Sequence, residues 1–236
     1  MPSESTTDPT HVSESAFGIW FLRTEIWAVH VLERALADLE RLSSHSDQCC
    51  PVILDAGCGN GRSFCLLKQK FAPARIVGVD INPEMIAAAR TEAGRNDLHA
   101  ELHCADLAHI PLEDGSVDLL LCHQTFHHLV AQYETLGEFH RVIKPGGLLL
   151  FAESTRAYIH SLIIRLLFRH PMHVQKDADE YIDMIRNAGF HISENAVSYP
   201  YLWWSRPDLG LGERIFGVKP AEGHAETLVN LVATRI

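Results

Sequence analysis

Basic residues are scarce in this 236-residue chain: Lys and Arg number 20 against 30 Asp and Glu, for a formal net charge of −10. Gripping a phosphate backbone needs a basic face, so no nucleic-acid substrate or partner is expected. Cysteine is sparse too. The six thiols (Cys49, Cys50, Cys58, Cys65, Cys104 and Cys122) form no C-x-x-C pair. Cys58, Cys104 and Cys122 lie in or beside apolar motifs, where cysteine acts as a small hydrophobe, and a reduced, cytoplasmic setting is expected. Long apolar runs are missing. The longest, Ile159 to Phe168, is too short for a bilayer and is interrupted by His160 and Arg165, so no integral membrane segment is expected. Met1 to Thr10 is polar without an apolar core, which argues against a signal peptide. Internal repeats are absent.

With 47% apolar residues the chain can bury one sizeable core and reads most simply as one domain. Its most informative stretch is Val52-Ile53-Leu54-Asp55-Ala56-Gly57-Cys58-Gly59-Asn60-Gly61-Arg62. An apolar strand feeds an acid, then glycines at every second position, then a helix start. Glycines so placed let the backbone turn sharply and let a nucleotide-like ligand lie against main-chain atoms at the mouth of a parallel sheet. A nicotinamide-binding loop would carry its third glycine where Arg62 stands. A second strand, Ile76-Val77-Gly78-Val79, ends in Asp80, whose carboxylate can accept hydrogen bonds from both hydroxyls of a ribose. Ile81-Asn82-Pro83 follows, with proline suited to a first helical turn. Leu102 to Leu107 closes on Asp106, Val117 to Cys122 leads into His123-Gln124-Thr125-Phe126-His127-His128, and Lys144-Pro145-Gly146-Gly147 turns into Leu148 to Phe151.

This ordered series, from Val52 to about Glu153, resembles the class I S-adenosylmethionine-dependent methyltransferases, in particular the small-molecule type related to ubiquinone-biosynthesis enzymes. The resemblance implies an α/β fold: a doubly wound, mostly parallel seven-stranded, Rossmann-like sheet. It implies S-adenosyl-L-methionine as cofactor. By the same resemblance Asp55 orients the loop of Gly57, Gly59 and Gly61, Asp80 takes the ribose, Ile81 packs on the adenine, and Asp106 and the Leu107 backbone read the adenine edge. His123 stands where the family places a carbonyl near the donor's amino group.

Around this core, residues 1–14 read as a disordered tail and 15–236 as one domain. Within it 15–48 is a helical cap over the cofactor pocket, 49–153 the cofactor-binding core, 154–174 an inserted helix, and 175–236 a C-terminal helix with closing strands. In the cap, Trp20, Trp27, Val31, Ala35 and Leu42 recur at helical multiples and mark a buried stripe. Tyr158 to Arg169 reads as one amphipathic helix stopped by His170-Pro171, and Asp177 to Ala188 as another, capped by Gly189. His191 to Tyr199 and Thr227 to Thr234 look like antiparallel strands flanking an aromatic loop with Tyr201, Trp203 and Trp204.

Arg23 lies between Trp20 and Trp27 on one helix face. A guanidinium buried there needs a partner, and the donor's carboxylate would be a bidentate one; solvent or a protein acid is the alternative. His127, His128 and Glu153 are the candidate general bases, because strand ends form the ligand crevice. No metal is expected, since the adjacent histidines of His123-x-x-x-His127-His128 diverge on a helix and no nearby Cys or acid completes a ligand set. Methyl transfer from a sulfonium discharges a cation, so no oxyanion hole is required and positioning in a dry pocket should dominate. The acceptor is expected to be a small hydrophobic or aromatic molecule that Arg156, Arg165 or Arg169 could pair with if acidic. The chain is expected to be a monomer or homodimer. Two other readings stay open: a non-catalytic cofactor-binding subunit, and peripheral membrane contact through Ile159 to Phe168.

Overall fold

Four largely apolar runs and one mixed segment, Ala100–Cys104, form the parallel strands of the protein. The computed structural model describes residues 12, 14–43, 51–200, 215, 217 and 226–236. The strands are β1 (Val52–Ala56), β2 (Arg75–Asp80), β3 (Ala100–Cys104), β4 (Val117–His123) and β5 (Ile143–Ser154). Antiparallel β8 (Leu228–Arg235) follows β5, and β6 (Phe190–His191) and β7 (Val197–Ser198) both pair with β8. The sheet order is 3-2-1-4-5-8-6, with β7 beside β8. The expected strand from His191 to Tyr199 is thus two short pieces along one edge, broken by a turn at Glu194 and Asn195. The seven strand positions of the resemblance are filled.

Strand order reverses between β1 and β4, which pair parallel from Ile53–Leu119 to Ala56–Cys122. Loops leaving the carboxyl ends of two such strands diverge and open a crevice. Almost every residue of β1, β4 and β5 is buried. Helices α4 (Ser63–Phe71), α5 (Pro83–Arg95) and α6 (Gln132–Val142) supply the crossovers. The main core runs through Leu36, Leu39, Ile53, Leu120, Phe139, Phe151, Tyr181 and Val229; a smaller cluster of Cys58, Phe64, Ile76, Ile86 and Ala89 holds α4 and α5 against β2. Among the described residues no helix is long and apolar enough to cross a membrane.

The cap departs from one continuous helix. α1 (Ala16–Phe21) stops, Thr24 caps α2 (Glu25–Trp27) by accepting from the Trp27 N–H, and a π-turn (Ala28–Glu33) leads into α3 (Arg34–Leu42). The buried stripe is real for Ala35 and Leu42 but not for Trp20, which is 60% exposed. Phe17, Phe21 and Phe168 form the local aromatic cluster, and Trp20 packs on its outer side against Phe17 (5.5 Å). The helix expected at Tyr158 to Arg169 is likewise two: α7 (Arg156–Ile159) and α8 (Leu162–Leu167), split at Ser161. α9 (Ala178–Asn187) matches its expected span, opened by an Asp177–Glu180 capping box and followed by Gly189 at φ +92°. The tail expected through residue 14 ends earlier: the Val12 N–H donates to the His128 carbonyl (3.1 Å), and a Glu14 oxygen accepts from the Arg169 N–H (3.1 Å). Tyr201, Trp203 and Trp204 lie outside the described residues.

Candidate active site

The loop after β1 needs its glycines for three different reasons. All three sit in the left-handed region, at φ +79°, +50° and +79° for Gly57, Gly59 and Gly61. A Cβ on Gly57 would run into the Thr125 side chain, whereas one on Gly59 would meet nothing within 4 Å. Gly59 therefore borders open space. A Cβ on Gly61 would come within 2.8 Å of the Phe64 ring and 3.1 Å of the Ala89 backbone. Gly61 does not line the cavity; it is where α4 packs on α5.

Asp55 and Asp80 brace this loop from below and from the side. Asp55 is buried and accepts from the Ser63 hydroxyl. Burial pushes its carboxyl up to about 7, the Ser63 hydrogen bond opposes that rise, and the neighbouring Asp80 charge adds to it. Asp80 Oδ2 accepts from the Gly59 N–H and Oδ1 from the Asn82 N–H, each at 2.9 Å. Asn82 then caps α5 through the Glu84 N–H, ahead of Pro83.

One cavity, about 1250 Å³ of empty space counting its open mouth, joins Asp55, Gly57, Gly59, Asp80, Ile81, Asp106, Leu107 and His123. These residues come from four separate strand ends. Asp106 Oδ1 accepts from the Ala108 N–H (2.9 Å) and so shapes its own turn. His123 is buried with its ring 5.5 Å from that of Trp27. Burial, partly countered by Glu153, lowers it to about 4, so the imidazole is neutral at pH 7.

Two sequence expectations need correction here. Arg23 is exposed in the turn between α1 and α2, outside the cavity, because Thr24 breaks the helix that was to bury it. The guanidinium on the cavity wall is Arg62, which donates to Glu25 (2.9 Å) and to the Arg23 carbonyl (2.9 Å). Glu153 is fully buried and lines neither cavity, so it cannot meet an acceptor directly. Instead the turn after β4 wraps around it: one oxygen accepts from the Thr125 and Phe126 N–H groups (2.7 Å each), and the other lies 2.5 Å from His127 Nδ1. That wrapping explains the short 3₁₀ turn at Phe126–His128.

A second cavity of about 600 Å³ adjoins the first and shares Glu14, Leu22, Trp27, Gln124 and His128 with it. Its walls are mainly Phe21, Val31, Ile159, Ile164 and Phe168, with His127 and His170 as polar groups. His128 thus touches both spaces. Burial lowers His170 to about 3. Arg156, expected to meet an acidic acceptor, is spent on Asp177 (2.7 Å), Glu180 (2.5 Å) and the Gln175 carbonyl, while Arg165 and Arg169 are exposed. Sequence reasoning missed Gln124, a non-glycine at φ +50° that hydrogen-bonds Ser154 at the junction of the cavities. It also missed Glu14 and His170, which come from segments far from any motif.

Residues 54–151 match the family model described as a methyltransferase domain. The chain is 28% identical over 182 residues to a malonyl-[acyl-carrier protein] O-methyltransferase of Marinomonas sp., covering 75% of this chain and 64% of the relative. It is 29% identical over 152 residues to a demethylmenaquinone methyltransferase of Deinococcus radiodurans, covering 64% and 58%. The chain therefore spans about three fifths of the length of these curated relatives. Among solved structures, a SAM-dependent methyltransferase from Aquifex aeolicus superposes with a TM-score of 0.64 at 18% identity, covering 93% of this chain and 97% of that one. A geranyl diphosphate C-methyltransferase from Streptomyces coelicolor does so with a TM-score of 0.64 at 18% identity, covering 91% and 87%. These two likenesses speak for the fold.

Proposed function

We propose that this chain, whose residues 54–151 are a class I S-adenosylmethionine-dependent methyltransferase domain, transfers the donor's methyl group to a small hydrophobic or aromatic molecule. The observation that carries the proposal is the pair of adjoining cavities. The first is framed by the glycine loop, Asp80 and Asp106, and suits a nucleoside. The second is walled by Phe21, Val31, Ile164 and Phe168, and suits an apolar acceptor.

In the donor cavity, Asp80 takes both ribose hydroxyls, Asp106 and Leu107 meet the adenine edge, and Ile81 covers its face. The donor's carboxylate goes to Arg62 rather than Arg23, since Arg62 is the guanidinium on that wall. Asp55 and the neutral His123 lie toward the amino group. A donor so held would present its methyl group toward Trp27, Gln124 and His128, which line both cavities. Transfer is an in-line displacement, forming a bond from acceptor heteroatom or carbon to methyl while the methyl–sulfur bond breaks and its electrons stay on sulfur. Alignment in a closed cavity supplies most of the acceleration. Where the acceptor arrives protonated, the histidine cluster beside His128 handles that proton, and Glu153 is a positioning residue for His127.

The test is turnover of methyl-labelled S-adenosylmethionine against a fractionated metabolite extract, with products identified by mass. Label in an apolar metabolite supports the proposal. Donor binding without labelled product in any fraction supports a non-catalytic cofactor-binding subunit instead.

A further inference from the structure

Three imidazoles meet at one end of the second cavity. The ring centroids of His127, His128 and His170 are 4.4, 5.1 and 4.7 Å apart pairwise, and one ligand atom from each lies within 4.8 Å of the others. The motif supplies two of these rings and the segment after α8 supplies the third. We propose that this cluster is a binding site for a divalent late first-row metal ion, of which zinc is the type.

The first argument is spacing. A metal–nitrogen bond of about 2.0–2.1 Å plus about 1.2 Å to the ring centre puts the rings of a tetrahedral tris-imidazole site about 5 Å apart. The observed centroids are near that separation, and with planes inclined by 39°, 41° and 30° the rings must also turn to aim one nitrogen each at a common point. Donor nitrogens must close to about 3.3 Å, which ring rotations of roughly 1–1.5 Å achieve.

The second argument is the support behind the ligands. His127 Nδ1 is held at 2.5 Å by the buried Glu153 carboxylate, which leaves Nε2 as its donor atom. A carboxylate behind a ligating histidine fixes both tautomer and ring orientation. The buried Gln175 side chain donates to the His127 carbonyl (2.8 Å) and the Pro171 carbonyl (2.9 Å), clamping together the two segments that carry the ligands. Three imidazoles select zinc and its neighbours over magnesium or calcium, which prefer oxygen.

At the edge of the cluster, Glu14 Oε2 lies 3.6 Å from His128 Nε2, longer than a hydrogen bond and near the ligand spacing of such a site. The remaining coordination position faces the acceptor cavity, since all three rings line it. It takes the Glu14 carboxylate, a water, or a heteroatom of the acceptor. An ion held there would make a bound hydroxyl or thiol of the acceptor more acidic, its proton passing to water, and the three rings would serve as ligands and not as free bases. Only that use rests on the methyltransferase reading; metal uptake does not.

The test is titration of chelator-stripped full-length protein with cobalt(II), followed by its visible absorption, and with zinc by calorimetry. Expected are one ion per chain, an intense four- or five-coordinate cobalt spectrum, and at least about tenfold weaker uptake in His170→Gln. His173→Gln, on the same segment but outside the cluster, should match the wild type. X-ray absorption of the zinc-loaded wild type should count three imidazoles, a readout independent of how any variant folds. No saturable uptake near one equivalent, uptake unchanged in His170→Gln, or fewer than two imidazoles would each overturn the site. S-adenosylhomocysteine binding, measured on the same samples, separates the two readings: its loss counts against the donor pocket and leaves the metal site standing.

Discussion

Replacing Asp80 tests the donor pocket most directly, because each of its oxygens already has one known task. Asp80→Ala removes the acceptors for the Gly59 and Asn82 N–H groups and the two lone-pair sites assigned to the ribose. A charge-assisted hydrogen bond is worth about 1.5–3 kcal/mol net, so losing one to the ribose weakens donor binding roughly 10- to 100-fold. The second ribose contact and the loosened loop push toward the upper end. Asp80→Asn is no milder. Its amide keeps one oxygen, but its NH₂ must then face the N–H of either Gly59 or Asn82, donor against donor. Calorimetric titration with S-adenosylhomocysteine gives the affinities, and circular dichroism checks the fold. An Asp80→Asn protein that is folded and binds within about threefold of the wild type would refute the reasoning, since 1.4 kcal/mol corresponds to tenfold.

Four further outcomes are expected. Asp55, held up to about 7 in the empty protein, must give up its proton when a cationic donor arrives; affinity should rise between about pH 5.5 and 7.5, with proton release visible as a buffer-dependent binding enthalpy. The same raised value means that stability tied to Asp55 is full below its ordinary value of 3.8 and is lost as pH climbs through about 7, so the empty protein's melting temperature should show that contribution declining over this window. Glu153→Ala strands three buried donors (Thr125 N–H, Phe126 N–H and His127 Nδ1) at about 1–3 kcal/mol each, and should melt far lower than Glu153→Gln, which keeps acceptor capacity. Gly61→Ala should lower stability through contact with the Ala89 backbone and the Phe64 ring, while Gly59→Ala, facing open space, should act on donor affinity; equal effects of both on melting would contradict the separate roles.

Which residues line the first cavity was largely legible because the pattern that places them is local. Each acid sits at the end of its own strand, and the backbone just beyond it makes the contact: Asp80 with Asn82, Asp106 with Ala108. Gly61 was misassigned because left-handed backbone and close packing both demand glycine, and the sequence does not say which. Arg23 failed for a local reason that the helical periodicity hid. α1 stops at Phe21, and Thr24, whose hydroxyl donates to the Phe21 carbonyl and accepts from the Trp27 N–H, starts a new helix, which leaves Arg23 in the exposed turn between them. The acceptor half depends on distant partners, Glu14 and His170 reaching the pair after β4, and such pairings leave no periodic trace.

The contact between Gly57 and Thr125 has a practical side. The threonine hydroxyl donates between the His123 carbonyl (3.1 Å) and the Gly57 carbonyl (3.3 Å), and its methyl and hydroxyl together fill the space where a side chain at 57 would go. A change of bulk at position 125 is therefore felt directly at the glycine loop after β1. Retuning which molecules are accepted should proceed from Phe21, Val31, Ile164 and Phe168, which touch only the outer chamber and can be resized without disturbing the donor's seat.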